Sequence, residues 1–213
     1  MGRRSLKKID QQLDLSQHLH SWETLPRPLV LQSLIQTPGP LEIEVGCGKG
    51  LFLLKASEEF PSHRFLGVEL SRKYARFSAF QLAKQGQPNA AVIQGDAMAV
   101  LSEGVLSSSA AALHLYFPDP WWKTRHRKRR MMNESFMEQV VRVVEPGGRF
   151  VFWTDVKAYF EMGQKVIAKC QELSASGKPS DSQSEQNPEY QTNFERRMRL
   201  AGKPVYRSEF LRR

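Results

Sequence analysis

Residues 41–59 read Leu-Glu-Ile-Glu-Val-Gly-Cys-Gly-Lys-Gly-Leu-Phe-Leu-Leu-Lys-Ala-Ser-Glu-Glu. Leu41–Val45 reads as a strand, Gly46–Gly50 as a tight turn, and Leu51–Glu59 as a helix stopped by Phe60-Pro61. The same unit recurs along the chain. Arg64–Leu70 reads as a second strand, followed by a helix from the N-cap residue Ser71 to about Gln85. Ala90–Gln94 is a third strand with a short helix over Ala97–Leu101, and Ala111–Phe117 is a fourth. Asn133 caps a helix whose Phe136, Met137, Val140, Val141 and Val144 recur at helical spacing, and Glu145-Pro146-Gly147-Gly148 stops it. Arg149–Thr154 and a helix over Val156–Gln171 follow. Strands alternating with helices predict an α/β fold: a doubly wound, mostly parallel sheet covered on both faces.

The flanks differ in composition. Residues 1–40 are polar and carry four prolines, which predicts a partly flexible arm with one short helix near Leu29–Ile35. Residues 174–188, rich in Ser, Gln, Asp and Pro, predict a mobile loop. Two domains' worth of chain is not needed: 41–213 reads as one unit.

The turn at Gly46–Gly50 discriminates between ligands. A dinucleotide fingerprint needs a third glycine where Leu51 stands, and Glu44 beside the turn would repel a pyrophosphate. A carboxylate there accepts a cationic ligand, which favours S-adenosylmethionine with its sulfonium and amine over NAD. A plain βα turn with no ligand is the bland alternative. Glu69 ends the second strand about 20 residues after the glycines, where an acid commonly meets ribose hydroxyls. Asp96 follows the third strand and Asp119 the fourth. Each is also a candidate helix cap, Asp96 most of all. Together they line one edge of a parallel sheet, where such sheets bind ligands.

Residues 115–130 read Leu-Tyr-Phe-Pro-Asp-Pro-Trp-Trp-Lys-Thr-Arg-His-Arg-Lys-Arg-Arg. Asp119 is held between two prolines. Trp121 and Trp122 either stack on bases or pack internally. Six Lys/Arg fall within 121–130 with no acid among them, in a chain whose net charge is +9. That run suits a phosphate backbone; a solvated basic face or a localisation signal is the alternative. Asp155 ends the fifth strand, and Thr192-Asn193-Phe194-Glu195 begins a last element, roughly Thr192–Ala201 plus Val205–Phe210. Carboxylates accept from the N1–H and amine of guanine, so this composition suits guanine.

Two cysteines, Cys47 and Cys170, make no disulfide framework, and the five histidines have no metal-ligand spacing. No metal is expected. No apolar run approaches a membrane span, and Met1–Asp10 lacks an apolar signal region. A soluble, reducing, cytoplasmic setting is the expectation.

At this point the chain resembles the bacterial tRNA (guanine-N7-)-methyltransferases, from about residue 41 to the C-terminus apart from 174–188. The resemblance rests on Glu44-x-Gly-x-Gly-x-Gly, Gly-x-Glu69, Asp96-Ala, Phe-Pro-Asp119-Pro-Trp-x-Lys123-x-Arg-His-x-Lys-Arg-Arg, Thr-Asp155, Thr192-x-Phe-Glu195 and the ending Gly202-Lys-Pro-Val-Tyr-Arg207. It implies a seven-stranded class I methyltransferase sheet and S-adenosylmethionine as donor. It implies tRNA as partner and guanine 46 of the variable loop as substrate, in a monomer or homodimer. Cofactor contacts then fall to Glu44, Gly46, Gly48, Glu69, Asp96 and Asp119, with Asp119 as the catalytic, positioning acid. Substrate contacts fall to Lys123, Asp155, Thr192, Asn193, Phe194 and Glu195. The Asp-Pro-Trp motif also resembles that of exocyclic-amine methyltransferases, and a non-catalytic RNA-binding module is the remaining alternative.

Overall fold

A computed structural model of the chain describes residues 6, 9–121, 123–176, 192, 195, 198 and 200–213. Its sheet is built from β1 (Leu19–Ser21), β2 (Leu41–Val45), β3 (Arg64–Glu69), β4 (Ala90–Gln94), β5 (Ala110–Tyr116), β6 (Val144–Thr154), β7 (Leu173–Ala175) and β8 (Tyr206–Arg212). The spatial order is β1-β4-β3-β2-β5-β6-β8-β7. All neighbours from β1 to β6 run parallel, and β8 pairs antiparallel with both β6 and β7. The expectation of seven strands is thus corrected to eight. The extra strand comes from the arm, where Leu19–Ser21 lies opposite Val92–Gln94. Three residues are too few to show a strand's two-residue alternation, so nothing in the arm's sequence marked it.

The central strands are apolar because both their faces are covered. All five positions of β2 are buried. Leu41, Ile43 and Val45 face a core completed by Phe136, Met137 and Val140 of α5 (Glu134–Val143). The opposite face packs on Phe52 and Leu53 of α2 (Leu51–Glu59) and Leu82 of α3 (Arg72–Gln85). Asn133 caps α5 as expected, its Oδ1 accepting from the Phe136 amide at 2.9 Å. Val144, expected to be the last helical residue, leaves the helix and pairs with Ala110. The register shifts before Arg149 meets Ala112, so the Pro-Gly-Gly segment sits inside β6 as an irregularity and does not precede it. The short helix expected near Leu29–Ile35 is α1 (Leu31–Leu34), and the helix expected over Val156–Gln171 is shorter, α6 (Lys157–Ile167). The short helix over Ala97–Leu101 is α4 (Ala97–Ala99) running into a π-turn, Val100–Gly104. β7 takes the first residues assigned to the 174–188 loop; the remainder of that loop lies outside the described residues. No described helix is long and apolar enough to cross a membrane.

Glu42 and Glu44 share one face of β2. Glu42 is buried among donors: His63 Nδ1 lies 2.8 Å from Oε1 and His114 Nε2 lies 2.7 Å from Oε2. Tyr116 Oη extends the chain, 2.9 Å from His114 Nδ1. Burial alone would raise the Glu42 carboxyl. The hydrogen bond and charge of His114, with His63 and Arg149, outweigh it and bring Glu42 down to about 2. A carboxyl lowered on folding stabilises the fold above its unfolded value near 4.5 and loses that contribution as pH falls toward 2. Glu42→Ala leaves the buried His114 and the half-buried His63 without their shared carboxylate. It should lower unfolding free energy by about 3 kcal/mol at pH 7 in urea titrations. The deficit relative to wild type should shrink steadily between pH 4.5 and 2.

Candidate active site

The chain builds β2, β3 and β4 in one direction across the sheet and then returns to place β5 on the other side of β2. The loops leaving β2 and β5 therefore diverge, and a crevice opens between them at the carboxyl ends of the strands. The glycine turn forms one wall. Gly46, Gly48 and Gly50 all have positive φ, of 74°, 56° and 70°. At Gly50 a Cβ would lie 1.9 Å from Ser78 Oγ, so only glycine brings the start of α2 this close to α3. Gly46 and Cys47 donate to Val68 O at 2.8 and 3.2 Å, and Gly48 donates to Glu69 Oε2 at 2.9 Å.

The acids named from sequence meet along this edge with different environments. Glu44 is 4 % exposed, and its Oε2 has no hydrogen-bond partner among the described residues. Burial pushes its carboxyl up to about 8, and the charge of Glu69 adds to the rise. Glu69 is a brace as well as a ligand candidate: Oε2 holds the Gly48 amide and Oε1 holds the Ser71 amide at 2.8 Å. Asp96 caps α4, its Oδ1 accepting from Met98 and Ala99 at 2.8 and 3.1 Å. Both bonds land on one oxygen, so Oδ2 still faces outward without a protein donor among the described residues. Leu70, between Glu69 and Ser71, is 68 % exposed and offers an apolar surface at the same edge. From sequence it is the last residue of an apolar strand, which looks like core; the strand ends one residue earlier, at Glu69.

Asp119 stands exposed at the end of the β5 loop. Two strained residues shape this loop, Phe117 at φ 48° and Trp121 at φ 41°. Phe117 N donates to Trp153 O at 2.8 Å, tying the loop to β6. Arg130, the last of the basic run, turns inward: its Nε donates to Pro120 O at 2.8 Å and its Nη1 to Met162 Sδ at 3.3 Å. The run is thus closed into a loop whose two ends meet beside Asp119. Trp121 is half-buried against this loop, edge-on to His126 at 5.3 Å and under Arg129 at 5.2 Å. Lys123 is exposed. Trp122 lies outside the described residues.

The last element reaches the β6 side. Thr192 Oγ1 accepts from the Glu195 amide at 3.0 Å, and Glu195 is buried in an ion pair with Arg207 at 2.7 Å. The Arg207 guanidinium lies 4.8 Å over Trp153, whose ring stands 4.7 Å from Tyr116. Asp155 is half-buried just past Thr154. Asn193 and Phe194 lie outside the described residues. Tyr116 and Trp153 were not singled out from sequence, and Arg130 and Arg207 stood out only as parts of the basic run and of the closing motif. Tyr116 sits two residues before Pro118, but its partners His114, Trp153 and Phe52 lie 2, 37 and 64 positions away, and only the fold brings them together.

Residues 38–208 match the methyltransferase family model Methyltransf_4. A tRNA (guanine-N(7)-)-methyltransferase of Rhodopirellula baltica is 43% identical over 213 residues, covering 97% of this chain and 79% of that protein. The chain belongs to the tRNA (guanine-N7-)-methyltransferase family. A second member, from Myxococcus xanthus, is 34% identical over 88% of this chain and 96% of its own length. Two solved structures share the class I methyltransferase fold at 17% identity. They are the aminoglycoside resistance methyltransferase NpmB1, at a TM-score of 0.55 over 86% of this chain and 92% of its own, and the antibiotic-resistance methyltransferase Kmr, at 0.56 over 85% and 91%.

The methyl donor of this methyltransferase is S-adenosylmethionine, and the crevice fits it. The buried Glu44 carboxyl, whose Oε2 has no donor among the described residues, is complementary to a ligand bearing positive charge and N–H groups, and the same acids would repel a phosphate. Until that ligand arrives, Glu44 is a liability. A carboxyl raised on folding stabilises below its unfolded value near 4.5 and loses that contribution as pH rises through about 8. Glu44→Gln should therefore raise the unfolding free energy of ligand-free protein at pH 8 by at least about 2 kcal/mol, with little gain at pH 5. The same variant should weaken S-adenosylhomocysteine binding in calorimetry.

Proposed function

We propose that this protein methylates N7 of guanine 46 in the variable loop of tRNA, in the cytoplasm. The observation that carries this reading is the juxtaposition at the β2/β5 crevice. A buried carboxyl suited to a cationic donor, its Oε2 without a partner among the described residues, lies on one side, and an exposed acid on a loop closed by a basic run lies on the other.

Bound S-adenosylmethionine supplies an electrophilic methyl group on a sulfonium. On this reading Glu44, Gly46, Gly48, Glu69 and Asp96 hold it, with Leu70 covering a flat ring. Guanine N7 is an acceptor with a lone pair and no proton. The protein therefore has no proton to remove before attack, and its contribution is positioning and electrostatics. Positive charge passes to the guanine as the methyl transfers. Asp119 and Asp155, on the two loops flanking that position, offset it. Asp155 also accepts from the guanine edge. Thr192, Asn193, Phe194 and Glu195 frame the substrate side, with Glu195 acting through Arg207 to hold the Trp153 face in place. Lys123 and the exposed members of the basic run take the phosphates, an attraction that falls steeply with salt.

The reading is tested by incubating the protein with unmodified tRNA and labelled S-adenosylmethionine and identifying the product nucleoside. The expected product is 7-methylguanosine, abolished when guanine 46 is replaced by adenine. Asp119→Ala should lower kcat/KM at least about 100-fold. A methyl group on an exocyclic amine, or near wild-type turnover by Asp119→Ala, contradicts the reading.

A further inference from the structure

The arm does more than extend the sheet. Trp22, directly after β1, is 7 % exposed. Its indole is wedged between the two ends of the segment that carries Asp96. A Cβ on Gly95, the residue before Asp96, would lie 2.6 Å from Trp22 Cβ. A Cβ on Gly104, the end of the π-turn after α4, would lie 2.9 Å from Trp22 Cη2 and Cζ3 and 3.0 Å from Leu29 Cγ. Both glycines leave space that the arm's side chains fill.

Further contacts lock the same segment. Ser21 stands opposite Gln94, and the Leu29 amide donates to Gly104 O at 2.9 Å. The Arg27 guanidinium lies 4.5 Å over the Trp22 ring and pairs with Glu103 at 3.3 Å. Residues 19–29 thus wrap the 94–104 segment. Without the arm, β4 would be the edge of the sheet, and the Asp96 turn would lack its inner support.

We infer that Trp22 is a positioning residue for the cofactor: it sets the height and angle of the Gly95-Asp96 turn, so that arm docking and cofactor binding stabilise each other. This rests on the reading of Asp96 as a cofactor contact. Coupling between two such sites is reciprocal. Removing the wedge weakens the cofactor, and binding the cofactor tightens the arm. The effect is confined to the cofactor side, because β1 and Trp22 lie at one end of the sheet, four strands from β5, whose loop carries the basic run, and away from β8, where Arg207 holds Glu195.

The test is S-adenosylhomocysteine affinity by calorimetry, with folding checked by thermal unfolding. Trp22→Leu should weaken binding roughly tenfold, Trp22→Phe should restore most of it, and tRNA affinity should stay within about twofold. Asp96→Asn, which retains the helix cap, probes the underlying reading alone: unchanged affinity there removes Asp96 from the cofactor contacts. Weakened binding by Asp96→Asn beside unchanged binding by Trp22→Leu overturns the role of Trp22. If Trp22→Leu does not fold, hydrogen exchange on the native chain decides. S-adenosylhomocysteine should slow exchange in 19–29 together with 95–104, and slowing in 95–104 alone overturns the inference.

Discussion

A carboxyl group buried at the end of a central parallel strand, with one oxygen lacking any donor among the described residues, is the constraint on which the site depends. Glu44 cannot be ionised cheaply in that position. Burial holds it neutral up to about pH 8. It becomes an ion only when a positive, hydrogen-donating ligand completes it. The strand end, the glycine turn and Glu69 surround it so that such a ligand approaches the backbone closely while a phosphate is repelled.

Two residues earlier on the same face, Glu42 shows what the same side chain does when the protein supplies its partners. His63 and His114 lie within hydrogen-bonding distance of its two oxygens, and its carboxyl sits near 2 where Glu44 sits near 8. The burial is similar; the partners differ. One glutamate is structural and satisfied. The other is left unsatisfied at the crevice, a loss of stability of the kind that functional sites tolerate. Tyr116 joins the two regions, since it bonds His114 in the core and packs at a tilt against Trp153 at the substrate side.

Much of this was legible in the sequence. The five central strands were found to within a residue or so, except at the start of β6, because continuous apolar runs between turn residues leave little freedom in register. The acids at their ends followed from the spacing, including the double character of Asp96 as cap and ligand candidate. What was not legible depends on long-range pairing. The strand Leu19–Ser21 is too short to show a period. Trp22 gains its role only from two glycines more than 70 positions away. Glu195 looked like a substrate carboxylate, and only the fold shows Arg207 beside it. Nor does any local pattern reveal that Arg130, one cation in a run, turns back to Pro120.

The account's central claim is that Glu44 waits as a neutral acid for a cationic ligand. Carbon-13 NMR of the labelled Glu44 carboxyl measures this directly as a titration of the ligand-free protein. A midpoint near 8, moving well below that value when S-adenosylmethionine is added, is the predicted result. A midpoint near the ordinary glutamate value of 4.5, unchanged by the ligand, would contradict it.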